Sequence, residues 1–174
     1  IKIHIIKISM FNLDMFNMKW IIVLIPLLLS TLQQMVFPSN FQKNKKVFFQ
    51  PPGYVFGVVW TILYLMLGLY AFRLLNEQNK SLTSCDTFLF VLFVFNIIIN
   101  LAWTPVVNNI RMFNTGIYMI ATMITITLIM IVLENDKINK ALLIPYLSWL
   151  FFALLLNIEL ARLYKPVQVK FEEK

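Results

Sequence analysis

Cysteine and histidine, which carry much of the metal and nucleophilic chemistry of proteins, are almost absent from this chain of 174 residues. Its single cysteine, Cys85, excludes an intrachain disulfide framework and a cysteine-rich metal site. Its single histidine, His4, lies outside every apolar run, which argues against a zinc hydrolase and against histidine acid–base catalysis. Cys85 falls in a polar stretch that predicts a connector, so we expect an ordinary loop thiol. We expect no metal site.

Charged residues are also few, at 13% of the chain, whereas hydrophobic residues reach 60%. Soluble domains average roughly a quarter charged and half apolar residues, and a domain of this size could not bury so much apolar surface. The formal net charge is +7, but the lysines and arginines lie between apolar runs, where such residues meet phospholipid headgroups. We therefore predict an integral membrane protein whose partner is the lipid bilayer, and no binding of nucleic acid.

Five apolar stretches are long enough, or nearly so, to cross a bilayer as helices, which takes about 20 residues. Continuous apolar runs joined by short connectors predict helices, because a membrane barrel would show alternating hydrophobicity. The sequence thus predicts an all-α membrane protein folded as a five-transmembrane-helix bundle. The stretches are 20–37, 53–75, 87–107, 113–133 and 141–158.

We divide the chain into three segments. Residues 1–17, rich in Ile, Lys and Asn, predict an N-terminal extension that is poorly ordered or non-native. Residues 18–165 form the membrane domain, and residues 166–174 form a polar C-terminal tail. An odd number of spans places the termini on opposite sides of the membrane. The lysines and arginines divide almost evenly between the two sides, so they give no orientation.

Polar and aromatic residues inside the spans are the candidates for function. Asn100 sits in mid-span, where an amide must bond to a neighbouring helix or line a cavity, and both interpretations stay open. Pro105 is expected to kink or end the third helix. Trp60, Trp103 and Trp149 fall inside spans, away from the interface where tryptophan concentrates. They predict either an aromatic box for a flat ligand or ordinary core packing.

The longest connector, residues 38–52, carries Lys43, Lys45 and Lys46 together with several aromatic residues, and it ends in Pro-Pro. The proline pair stiffens the entry into the second helix. The connector predicts either a lid beside the helix mouth or a solvated loop that binds lipid headgroups.

Three stretches carry a resemblance to a known family. Residues 51–68 read PPGYVFGVVWTILYLMLG, residues 96–105 read NIIINLAWTP, and residues 145–157 read PYLSWLFFALLLN. In this order they resemble the motifs of the TspO/MBR family. The resemblance implies a five-helix bundle whose pocket, open toward the first loop, binds porphyrins such as protoporphyrin IX, haem and, in animals, cholesterol.

The resemblance also implies which residues form the pocket. The candidate ligand-binding residues are Tyr54, Phe56, Val59, Trp60, Tyr64, Asn100, Trp103, Trp149, Ala153 and Leu156. Porphyrin or haem is expected as a ligand, with no obligatory cofactor. In some members the tryptophans matching Trp60 and Trp149 support light-dependent porphyrin breakdown, so a catalytic role for this pair stays open. Glu159 replaces a tyrosine of the animal cholesterol motif, which argues against high-affinity sterol binding.

Three functions compete at this point. The leading hypothesis is a receptor or carrier that binds tetrapyrroles, with sterols as a further ligand class, and needs no turnover. The second is a light-dependent porphyrin-degrading activity. The third is a small channel or transporter of another substrate, but ion coupling uses ionisable groups inside the membrane, and no span carries a central charge. The family implies the mitochondrial outer membrane in a eukaryote and the cell envelope in a bacterium. A homodimer is left open.

Overall fold

The computed structural model describes residues 20–38, 46–76 and 83–164. The predicted extension 1–17, which contains His4, and the tail 166–174 lie outside the described residues. Lys43 and Lys45 of the first connector lie outside them too. Within these ranges the chain forms helices and no strand. The helices are α1 Trp20–Val36, α2 Gly53–Leu75, α3 Ser84–Trp103, a π-helical turn Thr104–Asn109, α4 Phe113–Leu133 and α5 Lys137–Leu163.

The prediction of an all-helical membrane protein with five helices is confirmed. Four helices are long and apolar enough to cross a membrane. They are α2, α4, α5 and α3, the last counted together with part of the following turn as Ser84–Val107. α1 is a shorter apolar helix. Many large apolar side chains on these helices are exposed, among them Val58, Ile98 and Val132, as expected of surfaces that face lipid.

α3 begins earlier than predicted, at Ser84 instead of position 87. Thr83 and Asp86 form a capping box: the Asp86 amide donates to Thr83 Oγ1 over 3.2 Å, and the Thr83 amide donates to Asp86 Oδ2 over 2.9 Å. These two bonds satisfy backbone donors at the helix start and extend the helix into the polar stretch. The prediction of Cys85 as a loop thiol is therefore wrong, because Cys85 lies exposed in the first turn of α3.

The α-helical part of α3 ends at Trp103, two residues before Pro105, which the sequence marks as a helix breaker. The chain passes into a π-helical turn, in which the Ile110 amide donates to the Pro105 carbonyl over 3.2 Å. Arg111 then adopts a positive φ of 64° and the chain reverses into α4. Pro105 thus ends the α-helix, as predicted, while the wider turn continues in the same direction.

α5 also exceeds its predicted bounds and runs from Lys137 to Leu163. Asp136 caps it, because its carboxylate accepts the amides of Ile138 at 2.6 Å and Asn139 at 2.9 Å. Pro145 lies inside the helix without ending it. The connector between α4 and α5, predicted as residues 134–140, is therefore shorter than expected, and its lysines, Lys137 and Lys140, lie in α5.

Neighbouring helices in the chain run antiparallel, which gives the bundle two distinct ends. We call the end where α2 and α4 begin, and where α1, α3 and α5 end, the mouth end; the opposite end is the far end. The main apolar core includes the fully buried side chains of Leu67, Tyr70, Met123, Leu143 and Tyr146. A second apolar cluster lies at the mouth end, where Val107, Leu156 and Leu160 are buried.

Candidate functional site

A cavity of about 690 Å³ occupies the half of the bundle nearer the mouth end. This volume lies within the range of roughly 300–1,000 Å³ typical of ligand pockets. All five helices contribute to its wall, and its lining residues are uncharged. They are Leu27, Ser30, Thr31, Gln33, Gln34, Gly53, Phe56, Gly57, Trp60, Thr61, Tyr64, Asn100, Trp103, Thr104, Ile120, Met123, Trp149, Leu150, Ala153, Leu156, Asn157 and Leu160.

Most of the residues that the sequence nominates lie in this wall. They are Phe56, Trp60, Tyr64, Asn100, Trp103, Trp149, Ala153 and Leu156. Tyr54 and Val59 do not line it: Tyr54 is 75% exposed, and Val59 packs against the main core. The cavity face of α2 follows the helical spacing of residues 53, 56, 57, 60 and 64, and positions 54 and 59 point away from that face.

Aromatic rings form one side of the cavity. The Trp60 and Trp149 ring centroids are 6.4 Å apart with perpendicular planes. Tyr64 stacks on Trp60 at 5.4 Å, and Phe56 meets Trp149 edge-on at 5.7 Å. Perpendicular and offset rings offer both faces and edges to a flat apolar ligand. Trp60 and Trp149 pack against the main core and also border the cavity, so both interpretations given by the sequence describe part of their surroundings.

The floor of the cavity is closed by a run of hydrogen bonds, which we call the tyrosine–asparagine chain. Tyr64 Oη donates to Asn100 Oδ1 over 2.6 Å, and Asn100 Nδ2 donates to Tyr146 Oη over 3.2 Å. Tyr146 Oη in turn donates to Asn96 Oδ1 over 2.6 Å. Asn96 Nδ2 then donates to Thr127 Oγ1 over 3.1 Å, so the chain joins α2, α3, α5 and α4. Asn100 therefore both bonds between helices and lines the cavity.

Several buried polar atoms of the lining residues have no hydrogen-bond partner within the described part of the chain. They are Gln33 Nε2, Trp103 Nε1, Trp149 Nε1 and Asn157 Oδ1. Leaving a buried polar group unpaired costs about 1–3 kcal/mol, so such groups usually meet a ligand or water. Three of the four are N–H donors.

The described part of the first connector closes over the mouth end. Val47 is buried in the mouth-end cluster, and Phe49 meets Phe152 of α5 at 6.2 Å. Gln50 holds this turn, because its side-chain oxygen accepts the Val47 amide over 3.2 Å. Phe48 and Lys46 are exposed beside it. The turn thus has a buried side that covers the bundle and an exposed side suited to the membrane surface.

The contribution of α1 to the cavity was missed from the sequence. Ser30, Thr31, Gln33 and Gln34 read as polar interruptions of an apolar span, and no motif marks them. Polar side chains at membrane depth are the signal that could have identified them, since such residues turn toward a bundle interior or cavity. Asn157 belongs to a quoted motif, yet it was not predicted as a site residue.

Charged groups cluster at the far end, away from the cavity. Arg73 Nε donates to Asn139 Oδ1 over 2.8 Å, and an Arg73 terminal nitrogen lies 3.1 Å from Asp136 Oδ2. Glu134 is buried there, and its carboxylate accepts a hydrogen bond from the side-chain nitrogen Asn139 Nδ2 over 3.3 Å. The Asn139 and Ile138 backbone amides, with Arg73 nearby, lower the pKa of Asp136 below its usual value. These groups join helix ends and leave the cavity wall uncharged.

Comparison with known proteins identifies the family. The TspO/MBR family profile matches residues 20–163. A tryptophan-rich protein TspO from Chlorobaculum tepidum is 30% identical over 122 residues, which cover 65% of this chain and 72% of that protein. A tryptophan-rich protein TspO from Archaeoglobus fulgidus is 28% identical over 114 residues, with the same coverage. A tryptophan-rich sensory protein from Cereibacter sphaeroides is 26% identical over 129 residues, covering 72% of this chain and 78% of that protein.

The family match extends from the first described residue of α1 to the last residue of α5. It therefore includes every helix that borders the cavity, together with the tryptophans of its aromatic side. On the extent of this match, the chain belongs to the TspO/MBR family.

Proposed function

We propose that this protein is a membrane receptor or carrier that binds tetrapyrroles, with protoporphyrin IX and haem as the first candidates. The observation that carries the proposal is a cavity of about 690 Å³ that combines aromatic walls with mostly donor-type unpartnered polar atoms. A flat macrocycle with carboxylates supplies apolar faces for the rings and oxygen acceptors for the N–H groups.

Two kinds of contact would supply the affinity. Stacking against Trp60 and Trp149 buries apolar surface of the ligand. Each Å² of that surface taken from water contributes roughly 25 cal/mol to the binding free energy. Donation from Trp103 Nε1, Trp149 Nε1 or Gln33 Nε2 to a carboxylate adds about 1.5–3 kcal/mol per bond. A carboxylate that reaches the mouth end also meets exposed Lys46.

A sterol fits these atoms less well than a tetrapyrrole. Its single hydroxyl can pair with one or two of the four unpartnered polar atoms and leaves the others unsatisfied. A buried unpaired group costs about 1–3 kcal/mol, so the polar pattern of the cavity favours the ligand with more oxygen atoms.

We also propose that all five helices cross the bilayer, so that the termini lie on opposite faces. At the far end Trp20 of α1 stacks on Phe72 of α2, with centroids 4.7 Å apart. Toward the mouth end Gln33 and Gln34 of α1 line the cavity. α1 therefore runs beside α2 from one end of the bundle to the other. The family supports a place in the mitochondrial outer membrane of a eukaryote or the cell envelope of a bacterium.

The proposed binding is tested by titrating the purified protein with protoporphyrin IX in the dark and reading tryptophan fluorescence. We expect saturable quenching, and we expect Trp149→Phe to weaken binding about tenfold, because phenylalanine keeps an apolar ring but cannot donate a hydrogen bond. Trp20→Phe is the matched control, since Trp20 lies at the far end, and its affinity should not change. Equal affinity for Trp149→Phe and Trp20→Phe would show that the ligand does not occupy this cavity.

The relative position of Trp60 and Trp149 favours light-dependent porphyrin breakdown as a second candidate function. Both indoles border the same open space, with centroids 6.4 Å apart, so a bound macrocycle would contact both. Such breakdown would use molecular oxygen as the oxidant, and the protein would supply the indoles beside the excited ligand.

A further inference from the structure

Two glycines on the same face of α2 have opposite surroundings. Gly57 and Gly68 are eleven residues apart, which turns the helix through three full turns and about 20° more. A Cβ built on Gly68 would collide with the backbone carbonyl of Val23 in α1, so the two helices touch there. A Cβ built on Gly57 would meet nothing within 4 Å among the described residues.

α1 and α2 therefore diverge toward the mouth end. They are in backbone contact at Gly68, and about 16 Å further along α2 a gap has opened between them. Thr31 and Gln34 of α1 border this gap, and so do Gly57 and Thr61 of α2. All four residues line the cavity and are exposed.

No hydrogen bond between described residues holds the two sides of the gap together. Thr31 Oγ1 donates to the Leu27 carbonyl over 2.8 Å, and Thr61 Oγ1 donates to the Gly57 carbonyl over 2.9 Å, so both hydroxyls bond within their own helices. No hydrogen bond between α1 and α2 crosses the gap among residues 20–38 and 46–76. A molecule that passes between the helices at this level breaks no interhelical bond.

Apolar side chains flank the gap on both helices. Leu28 and Leu32 of α1 and Val58 and Ile62 of α2 are each more than half exposed. On a transmembrane bundle such side chains face lipid. The mouth end, by contrast, is covered by the buried Val47 and by Phe49, which meets Phe152. Among residues 20–38, 46–76 and 83–164, the gap between α1 and α2 is thus the less obstructed way into the cavity.

We propose that flat apolar ligands exchange between the bilayer and the cavity sideways, through an α1–α2 portal formed by Thr31, Gln34, Gly57 and Thr61. The identity of the ligand rests on the proposed function, whereas the portal itself rests on the divergence of the two helices. A lateral route suits a ligand that dissolves in lipid, because the ligand need not cross the aqueous phase or move the mouth-end turn.

The test bridges the portal chemically. Gln34→Cys and Gly57→Cys are introduced in a Cys85→Ser, Trp20→Phe background and joined by a bifunctional thiol reagent that a reductant can cleave. In this background the remaining tryptophans, Trp60, Trp103 and Trp149, all line the cavity. A second pair, Val47→Cys with Phe152→Cys, bridged in the same way, holds the mouth-end turn closed and is the matched control.

The first measurement needs no tetrapyrrole. The protein is placed in lipid nanodiscs that contain a small apolar nitroxide dissolved in the bilayer, and tryptophan quenching is recorded. We expect the portal bridge to reduce the quenching constant at least threefold, the mouth-end bridge to leave it unchanged, and cleavage by reductant to restore it. Equal quenching with and without the portal bridge would overturn the portal.

The second measurement follows protoporphyrin IX by stopped flow in the same nanodiscs. A bridge across an entry route raises the barrier but not the end states, so association and dissociation rates should both fall at least tenfold while Kd stays within about threefold. Slower exchange under the mouth-end bridge alone would overturn the portal. If protoporphyrin IX fails to bind while the portal bridge still blocks the nitroxide, the portal stands and the proposed function fails.

Discussion

At the scale of the residue, the cavity separates the side chains that hold the bundle together from those left available to a ligand. Asn100 forms hydrogen bonds with Tyr64 and with Tyr146. The indole nitrogens of Trp103 and Trp149 are buried but are left without partners in the described chain. We infer that the first group sets the position of the helices, and under the proposed function the second group would contact the ligand.

The paired indoles give a prediction about light. Replacing both Trp60 and Trp149 with Phe should weaken dark binding of protoporphyrin IX about tenfold to a hundredfold but leave it measurable, because two aromatic faces remain. Light-dependent product formation should disappear, since phenylalanine is a far poorer electron donor than indole. Product is measured by absorbance and mass spectrometry after illumination in air. An unchanged product yield in the double variant would exclude this second candidate function and leave binding alone.

The two glycines of α2 give a prediction about packing. Gly68→Ala places a methyl group against the Val23 backbone and should destabilise the protein by about 1–3 kcal/mol, as overpacking does. Gly57→Ala meets open space, and alanine is favoured over glycine inside a helix by roughly 0.5–1 kcal/mol, so this matched variant should be neutral or stabilising. Thermal unfolding in detergent measures both. Equal effects would contradict the divergence of α1 and α2.

At the scale of the element, helix ends are decided by caps that apolar patterning does not report. The Thr83 and Asp86 box begins α3 three residues before its apolar run, and Asp136 begins α5 four residues before its own. The interior of every span was predictable from continuous hydrophobicity, whereas these ends required recognising the side chains that satisfy backbone amides.

The cap of α5 gives a prediction about pH. The pKa of Asp136 is lowered in the fold, so its contribution to stability is present above its unfolded pKa of about 3.9 and is lost as the pH falls through the folded value. Asp136→Asn keeps capping ability but carries no charge. We expect it to be less stable than the wild type at pH 7 and to approach wild-type stability below about pH 4. A constant difference across that range would refute this origin of the pH dependence.

At the scale of the whole molecule, the family motifs predicted most of one side of the site and little of the other. Most motif residues on α2, α3 and α5 line the cavity. α1 carries no motif, and its polar residues are recognised as cavity-lining only from their position opposite α2. Gly57 and Gly68 look alike in sequence. Their difference depends on the angle between two helices, which no local pattern encodes.

The whole cavity gives a prediction about haem. Its described lining offers only Tyr64 and Met123 as side chains able to bind iron. The Tyr64 hydroxyl donates to Asn100 and is therefore engaged. The Met123 sulfur lies 3.6 Å from the Tyr146 hydroxyl, whose proton is donated to Asn96, and a single thioether is a weak iron ligand. Metal-free protoporphyrin should therefore bind within about tenfold of haem, or 1.4 kcal/mol. Parallel titrations decide this.

A preference for haem of several hundredfold, with a low-spin six-coordinate spectrum, would contradict that expectation and show that an axial ligand forms. Met123→Leu would then separate sulfur ligation from other causes, because leucine keeps a similar volume but removes the sulfur.

The closed tyrosine–asparagine chain also has an evolutionary consequence. Asn100 and its partners on α2, α4 and α5 satisfy one another without help from the wall above them. A substitution in the floor therefore disturbs four helices at once, whereas Thr31 or Thr61, which are exposed and bond only within their own helices, can change size with effects confined to the wall. Natural selection can thus alter ligand preference in this scaffold without first restoring its folding, and lineages with one ancestral bundle are free to diverge in the molecules they bind.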